Sequence, residues 1–126
     1  MDEPRTARTA VVRRAADVPS KTVAAGSATE SQLLLGPDDG APHFAMRRFT
    51  MGVGGGMPRH TNAVEHEQYV LEGRAEVEIG GEVHRVASGD VLYIPAGVPH
   101  SYRVVEGPFV FLCVVPNQPD RIEIVD

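Results

Sequence analysis

Three histidines carry the strongest chemical signal in the sequence. His60 and His66 stand six residues apart just before a strand-like apolar run, and His100 follows a later turn rich in Gly and Pro. Imidazole is the commonest side-chain ligand for zinc, iron, manganese, nickel and copper. Three imidazoles brought together in a barrel mouth would hold such an ion and leave coordination positions open for a substrate or O₂. The pattern therefore predicts a metal centre built from His60, His66 and His100.

Asn62 lies where a further metal ligand would be useful. Alternate residues of an extended strand face one side, so His60 and Asn62 point the same way. An amide oxygen is a weak ligand for most transition metals, although it suits a harder ion such as Mn²⁺. Three roles stay open for Asn62: a weak ligand, a hydrogen-bond partner of a metal-bound water, or the mark of a site that binds metal poorly.

An apolar pocket is expected beside these polar residues. Phe111, Cys113 and Val115 alternate along one continuous apolar run, and Met46 lies on another strand-like segment. These four side chains are predicted to line the pocket, which favours a hydrophobic or aromatic ligand over a sugar. We expect Cys113 to be a small buried hydrophobe, since the sequence supplies no basic partner that would make it a nucleophile.

The elements that must position these residues are predicted to be strands. The chain has 13 Gly and 10 Pro among many short Val-rich runs, and no segment shows a convincing amphipathic helical pattern. The clearest element is a hairpin over residues 74–87, in which Gly80-Gly81 suits a type I′ or II′ turn. That register places Glu76 opposite Arg85 as an ion pair. The fold class is therefore all-β, a small barrel or jelly roll.

Several segments are expected to interrupt the strands. Residues 24–31 are loop-like, residues 52–58 contain four glycines and are expected to be irregular, and Gly107-Pro108 is expected to break a strand. With these interruptions the sequence predicts about nine to eleven strands.

The composition limits the class of protein. The chain has 126 residues, a net charge of −5 and a pI of about 5.5, which disfavours a nucleic-acid partner. No apolar run approaches the ~18 residues of a membrane span, and the N-terminus lacks the apolar core of a secretory signal. Cys113 has no second cysteine to pair with, which fits a reducing, cytoplasmic location. We expect a disordered tail over residues 1–10 and a single domain over residues 11–126.

Two stretches, residues 54–73 and residues 89–104, resemble the two motifs of the cupin superfamily. The matching positions are Gly54, His60, Asn62, His66 and Gly73 in the first and Gly89, Pro95, Gly97 and His100 in the second, with Val104 in place of the motif's Asn. The resemblance extends over about residues 32–116. It implies a cupin double-stranded β-helix, which is a jelly-roll barrel, with a short N-terminal arm.

The metal positions depart from the first motif twice. Asn62 replaces the second His, and His66 replaces the Glu. The second departure is similar to a subgroup of small bacterial cupins that bind manganese through four histidines. By this resemblance His60, His66 and His100 are metal ligands, and the implied cofactor is one divalent transition metal, Mn(II) or Fe(II). The ligand role does not carry over cleanly to position 62.

Three functions are left open by the residues and the resemblance. The first is a Mn- or Fe-dependent oxygenase of the dioxygenase type, acting on a small hydrophobic or aromatic substrate. The second is a non-catalytic cupin that binds a small ligand in the same cavity. The third is a metal-independent isomerase or epimerase, with His66 or His100 as base and a tyrosine as acid. Small cupins commonly dimerise, so the resemblance also implies a homodimer.

Overall fold

The computed structural model describes residues 9–126. The predicted disordered tail, residues 1–10, falls almost wholly outside this range, and the single domain over residues 11–126 stays a prediction. The strands are β1 (Lys21–Thr22), β2 (Ser27–Leu35), β3 (Phe44–Asn62), β4 (His66–Ile79), β5 (Glu82–Ala87), β6 (Val91–Ile94), β7 (His100–Pro116) and β8 (Ile122–Ile124). Two short 3₁₀ turns, Ala15–Asp17 and Pro37–Asp39, are the helical elements within the described range.

All the strands belong to one antiparallel sheet that forms a jelly-roll barrel. Its order is β1-β2-β3-β7-β4-β5, with β6 paired to β4 and β8 paired to β3. The long strands β3, β4 and β7 pair along most of their lengths and form the centre of the sheet. The all-β jelly-roll prediction is therefore confirmed. No helix within residues 9–126 has the length and apolar character needed to cross a membrane.

The predicted hairpin is confirmed residue by residue. β4 and β5 pair in the expected register, with Glu76 opposite Arg85. Gly80 and Gly81 both have positive φ, +59° and +91°, as a type I′ turn requires. The Glu76 and Arg85 side chains form an ion pair at 3.6 Å, and Arg103 of β7 also reaches Glu76.

The prediction of irregular structure at residues 52–58 was wrong, because β3 continues through these residues. The pairing of β3 with β7 shifts between Met51 and Gly56, which is where the glycines absorb a bulge. Gly56 has a φ of +152°, and a Cβ there would lie 2.1 Å from the Tyr102 carbonyl oxygen. Glycine is required at this position so that β3 can pass close to β7. The chain therefore reaches His60 as a strand and not as a flexible connector.

The other segments that were predicted to interrupt strands also lie within strands. β7 runs through Gly107-Pro108, and β4 joins two predicted runs across Gly73, where a Cβ would lie 2.2 Å from the Pro108 carbonyl oxygen. β2 begins at Ser27, inside the predicted loop 24–31. Because these segments merge, residues 9–126 hold eight strands and not the predicted nine to eleven.

The core fills the inside of the barrel with side chains from β3, β4 and β7. Phe109 and Phe111 are among its largest fully buried members, together with Met51 and Val77. These residues alternate with outward-facing neighbours, as expected for strands with one buried face. The core occupies one part of the interior, and a cavity at its edge carries the polar residues described next.

Candidate metal centre

The ends of three strands bring the predicted ligands to one place. His60 and Asn62 close β3, His66 opens β4, and His100 opens β7. His60 and His100 are direct partners across the β3–β7 pairing. The turn before His100 is tied to the end of β3, because the Gly97 backbone N–H donates to the Asn62 carbonyl oxygen at 2.8 Å.

The three imidazoles and the amide form a buried cluster. The ring centroids of His60 and His100 lie 4.2 Å apart, and those of His66 and His100 lie 5.9 Å apart. All four side chains are at most 6% exposed, with Asn62 at 5%. Four polar residues buried together need partners, because an unsatisfied buried polar group costs about 1–3 kcal/mol.

Backbone carbonyls fix the proton of two of these rings. His60 Nδ1 lies 2.7 Å from the Pro58 carbonyl oxygen, and His100 Nδ1 lies 2.9 Å from the Val98 carbonyl oxygen. A carbonyl oxygen only accepts hydrogen bonds, so each Nδ1 carries the hydrogen. The Nε2 atom of each neutral ring then keeps a lone pair, which is the arrangement of a metal-binding histidine.

A carboxylate fixes the orientation of the Asn62 amide. Asn62 Nδ2 donates to Asp120 Oδ2 at 2.9 Å, and a carboxylate can only accept, so Oδ1 is the amide atom that remains free. Backbone N–H groups of Ala63 and Arg121 donate to the other Asp120 oxygen and hold the carboxylate in place. Burial raises the pKa of Asp120, but the hydrogen bonds from Asn62, Arg121 and Ala63 outweigh it and keep the pKa below its usual range.

Three buried atoms of the cluster have no hydrogen-bond partner. They are Asn62 Oδ1, His66 Nε2 and His100 Nε2. The amide oxygen and the His100 nitrogen each present a lone pair. One divalent cation could accept both lone pairs as a shared ligand site. The donor chemistry of the site therefore fits a metal ion.

The same side chains are not arranged as a finished coordination shell. Within residues 9–126, no three His, Cys, Asp or Glu side chains form a group with metal-binding geometry. His60, His66 and His100 are thus close together but do not converge as a metal-binding group in this structure. The fit to a metal therefore rests on the unpartnered atoms and on the fixed tautomers.

Burial favours the neutral, metal-binding form of the His66 and His100 imidazoles. Burial, helped by the charge of Arg47, lowers the pKa of His66 from 6.5 to about 3. Burial also lowers the pKa of His100. Both rings are therefore neutral at neutral pH, and the Val98 carbonyl leaves the Nε2 lone pair of His100 free.

The cluster opens into a small cavity of about 50 Å³. Of the four predicted pocket residues, Phe111 lines this cavity. Met46 does not, because it faces the outer side of the sheet, and Val115 borders a separate pocket. Cys113 is fully buried behind the cavity wall, as expected for a small hydrophobe, and contacts two residues that form the wall.

Three residues that matter to the site were missed in the sequence. Arg47 and Gln68 line the cavity beside Tyr102, and Asp120 orients Asn62. Strand alternation could have found Arg47 and Gln68, because Arg47 shares the inward face of β3 and Gln68 follows His66 by two residues. No local signal could have found Asp120, which lies in a loop far from Asn62 in sequence.

Comparisons with known proteins agree with this architecture. Residues 47–115 match the family described as "Cupin domain". The polyketide cyclase RemF from Streptomyces resistomycificus has a solved structure that is 29% identical, with a TM-score of 0.82, over 94% of this chain and 88% of that one. A cupin-2 domain of Rhodospirillum rubrum superimposes with a TM-score of 0.77 at 23% identity, over 99% of this chain and 84% of that one, which supports the fold alone.

Two curated proteins match shorter parts of the chain. Quercetin 2,3-dioxygenase of Bacillus subtilis (strain 168) is 44% identical over 54 residues, which are 42% of this chain and 16% of the dioxygenase. An uncharacterized protein of Streptomyces coelicolor is 40% identical over 42 residues, 33% of this chain and 40% of that protein. The chain thus spans well under half of each. Together with the match over residues 47–115, the fold places this chain in the cupin family.

Proposed function

We propose that this cupin binds one divalent transition-metal ion and is an oxygenase acting on a small organic substrate. The observation that carries the proposal is the set of unpartnered buried atoms Asn62 Oδ1, His66 Nε2 and His100 Nε2. When bound, such a metal would supply open coordination positions and the electrons that dioxygen chemistry requires. The similarity to quercetin 2,3-dioxygenase supports this reaction class over the matched stretch.

The proposed ligands are His60, His66 and His100, with the Asn62 amide oxygen as the fourth donor. Three imidazoles and one neutral oxygen suit Mn(II) or Fe(II), and an amide oxygen favours the harder ion of the two, Mn(II). The donor set corresponds to the four-histidine manganese subgroup with one nitrogen replaced by oxygen. Asn62 is thus proposed as a ligand and not as the remnant of a lost site.

The chain's own residues would prepare the cavity for substrate. Asp120 accepts a hydrogen bond from Asn62 Nδ2, which leaves Asn62 Oδ1 free to bind the metal. Gln68 Nε2 donates to the Tyr102 hydroxyl oxygen at 2.7 Å, which fixes both side chains in the wall. The Phe111 ring stacks on Tyr102 with centroids 5.4 Å apart and makes that part of the wall apolar. The cavity would therefore hold the substrate against ordered side chains.

A second candidate is a non-oxidative ring closure in the same cavity. It is favoured by the similarity to polyketide cyclase RemF, which covers 94% of this chain. Fold alone does not decide between the two, because one fold hosts unrelated reactions. The two candidates differ in one measurable respect, which is the consumption of O₂.

The first experiment is a metal titration of metal-free protein with Mn²⁺, and with Fe²⁺ under anaerobic conditions. We expect about one equivalent to bind, because the three histidines and Asn62 form one cluster. Binding of less than about a tenth of an equivalent would contradict the proposed metal centre. Oxygen uptake by the loaded protein with a panel of aromatic alkenes and diketones then tests the oxygenase. Turnover of a substrate without O₂ uptake would favour ring closure.

We also propose that the protein is a homodimer. The outer face of β4 and β6 carries Tyr69, Val91 and Tyr93, which are 48%, 72% and 59% exposed. With Met46 these residues border an apolar groove on the outer face. A contiguous exposed apolar surface of this kind supports contact with a second chain.

A further inference from the structure

Arg47 places a positive charge in the wall of the cavity. It lies on β3 opposite Cys113 of β7, and its side chain points to the inner face with Phe49 and Met51. Its guanidinium carbon lies 4.9 Å from the centroid of the Phe49 ring. Arginine stays ionised at any pH at which the fold exists, so the cavity carries this charge permanently.

No acidic side chain among the described residues 9–126 forms an ion pair with Arg47, since none has a carboxylate oxygen within 4.0 Å of its nitrogens. Its Nη2 donates to Cys113 Sγ at 3.3 Å, and its Nε is buried without a partner. Burial raises the pKa of the Cys113 thiol, so the sulfur stays uncharged. A half-buried cation with an unsatisfied N–H is stabilised when an anion occupies the space beside it.

A second donor faces the same space. The Tyr102 hydroxyl oxygen already accepts the hydrogen bond from Gln68, so its own hydrogen is available to donate. Burial raises the pKa of Tyr102, which keeps that hydrogen in place. Arg47 and Tyr102 both line the cavity, together with the histidine cluster and apolar side chains such as Phe49 and Phe111. Two donors and no facing carboxylate match a ligand that presents an oxygen with negative charge.

We propose that Arg47 is the anion-recognition residue of the cavity, and that the ligand is an organic oxyanion with an apolar body. Its charged oxygen, from a carboxylate or from an ionised phenol or enol, would accept hydrogen bonds from Arg47 and Tyr102. Its body would pack against Phe49 and Phe111. This inference rests on the proposed function, because it takes the ligand to be the substrate. It replaces the expectation, made from the sequence, of a purely hydrophobic substrate.

The adjacent Arg48 offers a matched control. It follows Arg47 on β3, so its side chain faces the outer side of the sheet, and its Nε is likewise buried and unpartnered. Arg47→Gln removes the charge from the cavity, Arg47→Lys keeps it, and Arg48→Gln removes an equal charge from the outer face. Thermal melting of each variant checks that the fold is retained.

The experiment measures probe binding to metal-free and to Mn²⁺-loaded protein. Benzoate against benzamide tests a carboxylate by calorimetry. 4-Nitrophenol against nitrobenzene tests a phenolate, because bound phenolate is seen by its absorbance. We expect at least one anion to bind more tightly than its neutral partner. Arg47→Gln should weaken binding of that anion roughly 10- to 100-fold. Arg47→Lys should weaken it less, and Arg48→Gln should leave anion affinity nearly unchanged.

Two results would overturn the inference. One is wild-type protein that binds neither anion better than its neutral partner, which needs no variant to be folded. The other is an equal loss of anion binding in Arg47→Gln and Arg48→Gln. The metal-free arm separates this inference from the metal proposal: Arg47-dependent anion binding without metal uptake rejects the metal centre alone. Metal uptake without Arg47-dependent binding rejects the anion site alone.

Discussion

At the scale of single residues, the orientation of one amide decides how the site is understood. In the sequence, Asn62 could be a ligand, a partner of a bound water or a relic. Its Nδ2 is taken by Asp120, and its Oδ1 is left buried without a partner. A relic would have no reason to keep a buried oxygen unsatisfied at a cost of about 1–3 kcal/mol. The free oxygen therefore argues against an abandoned site and fits either a metal ligand or an acceptor for a metal-bound water.

Substitutions at position 62 test that role. Asn62→Leu keeps the approximate volume and removes the oxygen, so we expect Mn²⁺ affinity to fall roughly 10-fold or more. Asn62→His supplies an imidazole in its place and should raise the affinity. Competition with a fluorescent chelator measures both changes. Unchanged affinity in both variants would place Asn62 outside the metal's ligands.

A second prediction at this scale concerns pH. In the unfolded chain His66 has its ordinary pKa of 6.5, whereas burial and the charge of Arg47 lower its pKa to about 3 in the folded protein. Between these values the unfolded chain holds a proton that the folded chain lacks. The metal-free protein should thus lose stability as pH falls below 6.5, by up to ~1.4 kcal/mol per pH unit from this group.

Urea unfolding of metal-free protein at pH 7, 5.5 and 4.5 measures that loss, and His66→Gln is the control. The variant should show a shallower dependence of unfolding free energy on pH, because its side chain does not titrate. An identical dependence in both proteins would mean that His66 is not buried as described.

At the scale of elements, local patterns were predicted well and non-local ones were not. The β4–β5 hairpin follows from alternation around Gly80-Gly81, and every pair was predicted correctly. The glycines of residues 52–58 were misread because their role depends on a distant strand. Gly56 is needed where β3 passes the Tyr102 carbonyl oxygen, and nothing near it in the sequence indicates that contact.

Substituting two glycines of β3 distinguishes the cost of a steric clash from the cost of backbone strain. Both have positive φ, +75° at Gly54 and +152° at Gly56. A Cβ at Gly54 meets nothing within 4 Å, whereas one at Gly56 lies 2.1 Å from the Tyr102 carbonyl oxygen. We expect Gly54→Ala to cost about 1 kcal/mol and Gly56→Ala about 3 kcal/mol or more. Chemical denaturation measures both, and equal losses would contradict the close approach of β3 and β7.

At the scale of the whole molecule, the fold and the three histidines were predictable, and the character of the cavity was not. The sequence predicted a strand start at each histidine, which holds for His66 and His100, whereas His60 lies near the end of β3. Their role as metal ligands stays a prediction. Strand alternation places Arg47 and Arg48 on opposite faces of β3. Only the folded barrel shows that the face of Arg47 lines a cavity beside the histidines, because curvature and bulges decide what a strand's inner face meets.

The apolar outer face leads to a prediction about assembly. If Tyr93 and Val91 lie in a dimer contact, light scattering should give twice the 13.6 kDa chain mass. Tyr93→Glu should shift the protein toward the monomer, because it places a charge in an apolar contact. A wild-type monomer at high micromolar concentration would contradict the proposed homodimer.

The most direct test of the metal centre is anomalous diffraction at the manganese edge from crystals grown with Mn²⁺. We expect one peak within coordination distance of the His66 and His100 Nε2 atoms and of Asn62 Oδ1, with His60 Nε2 directed toward the peak. No peak there, or a peak bound only at the surface, would contradict the central claim that this cupin holds a metal through three histidines and an asparagine.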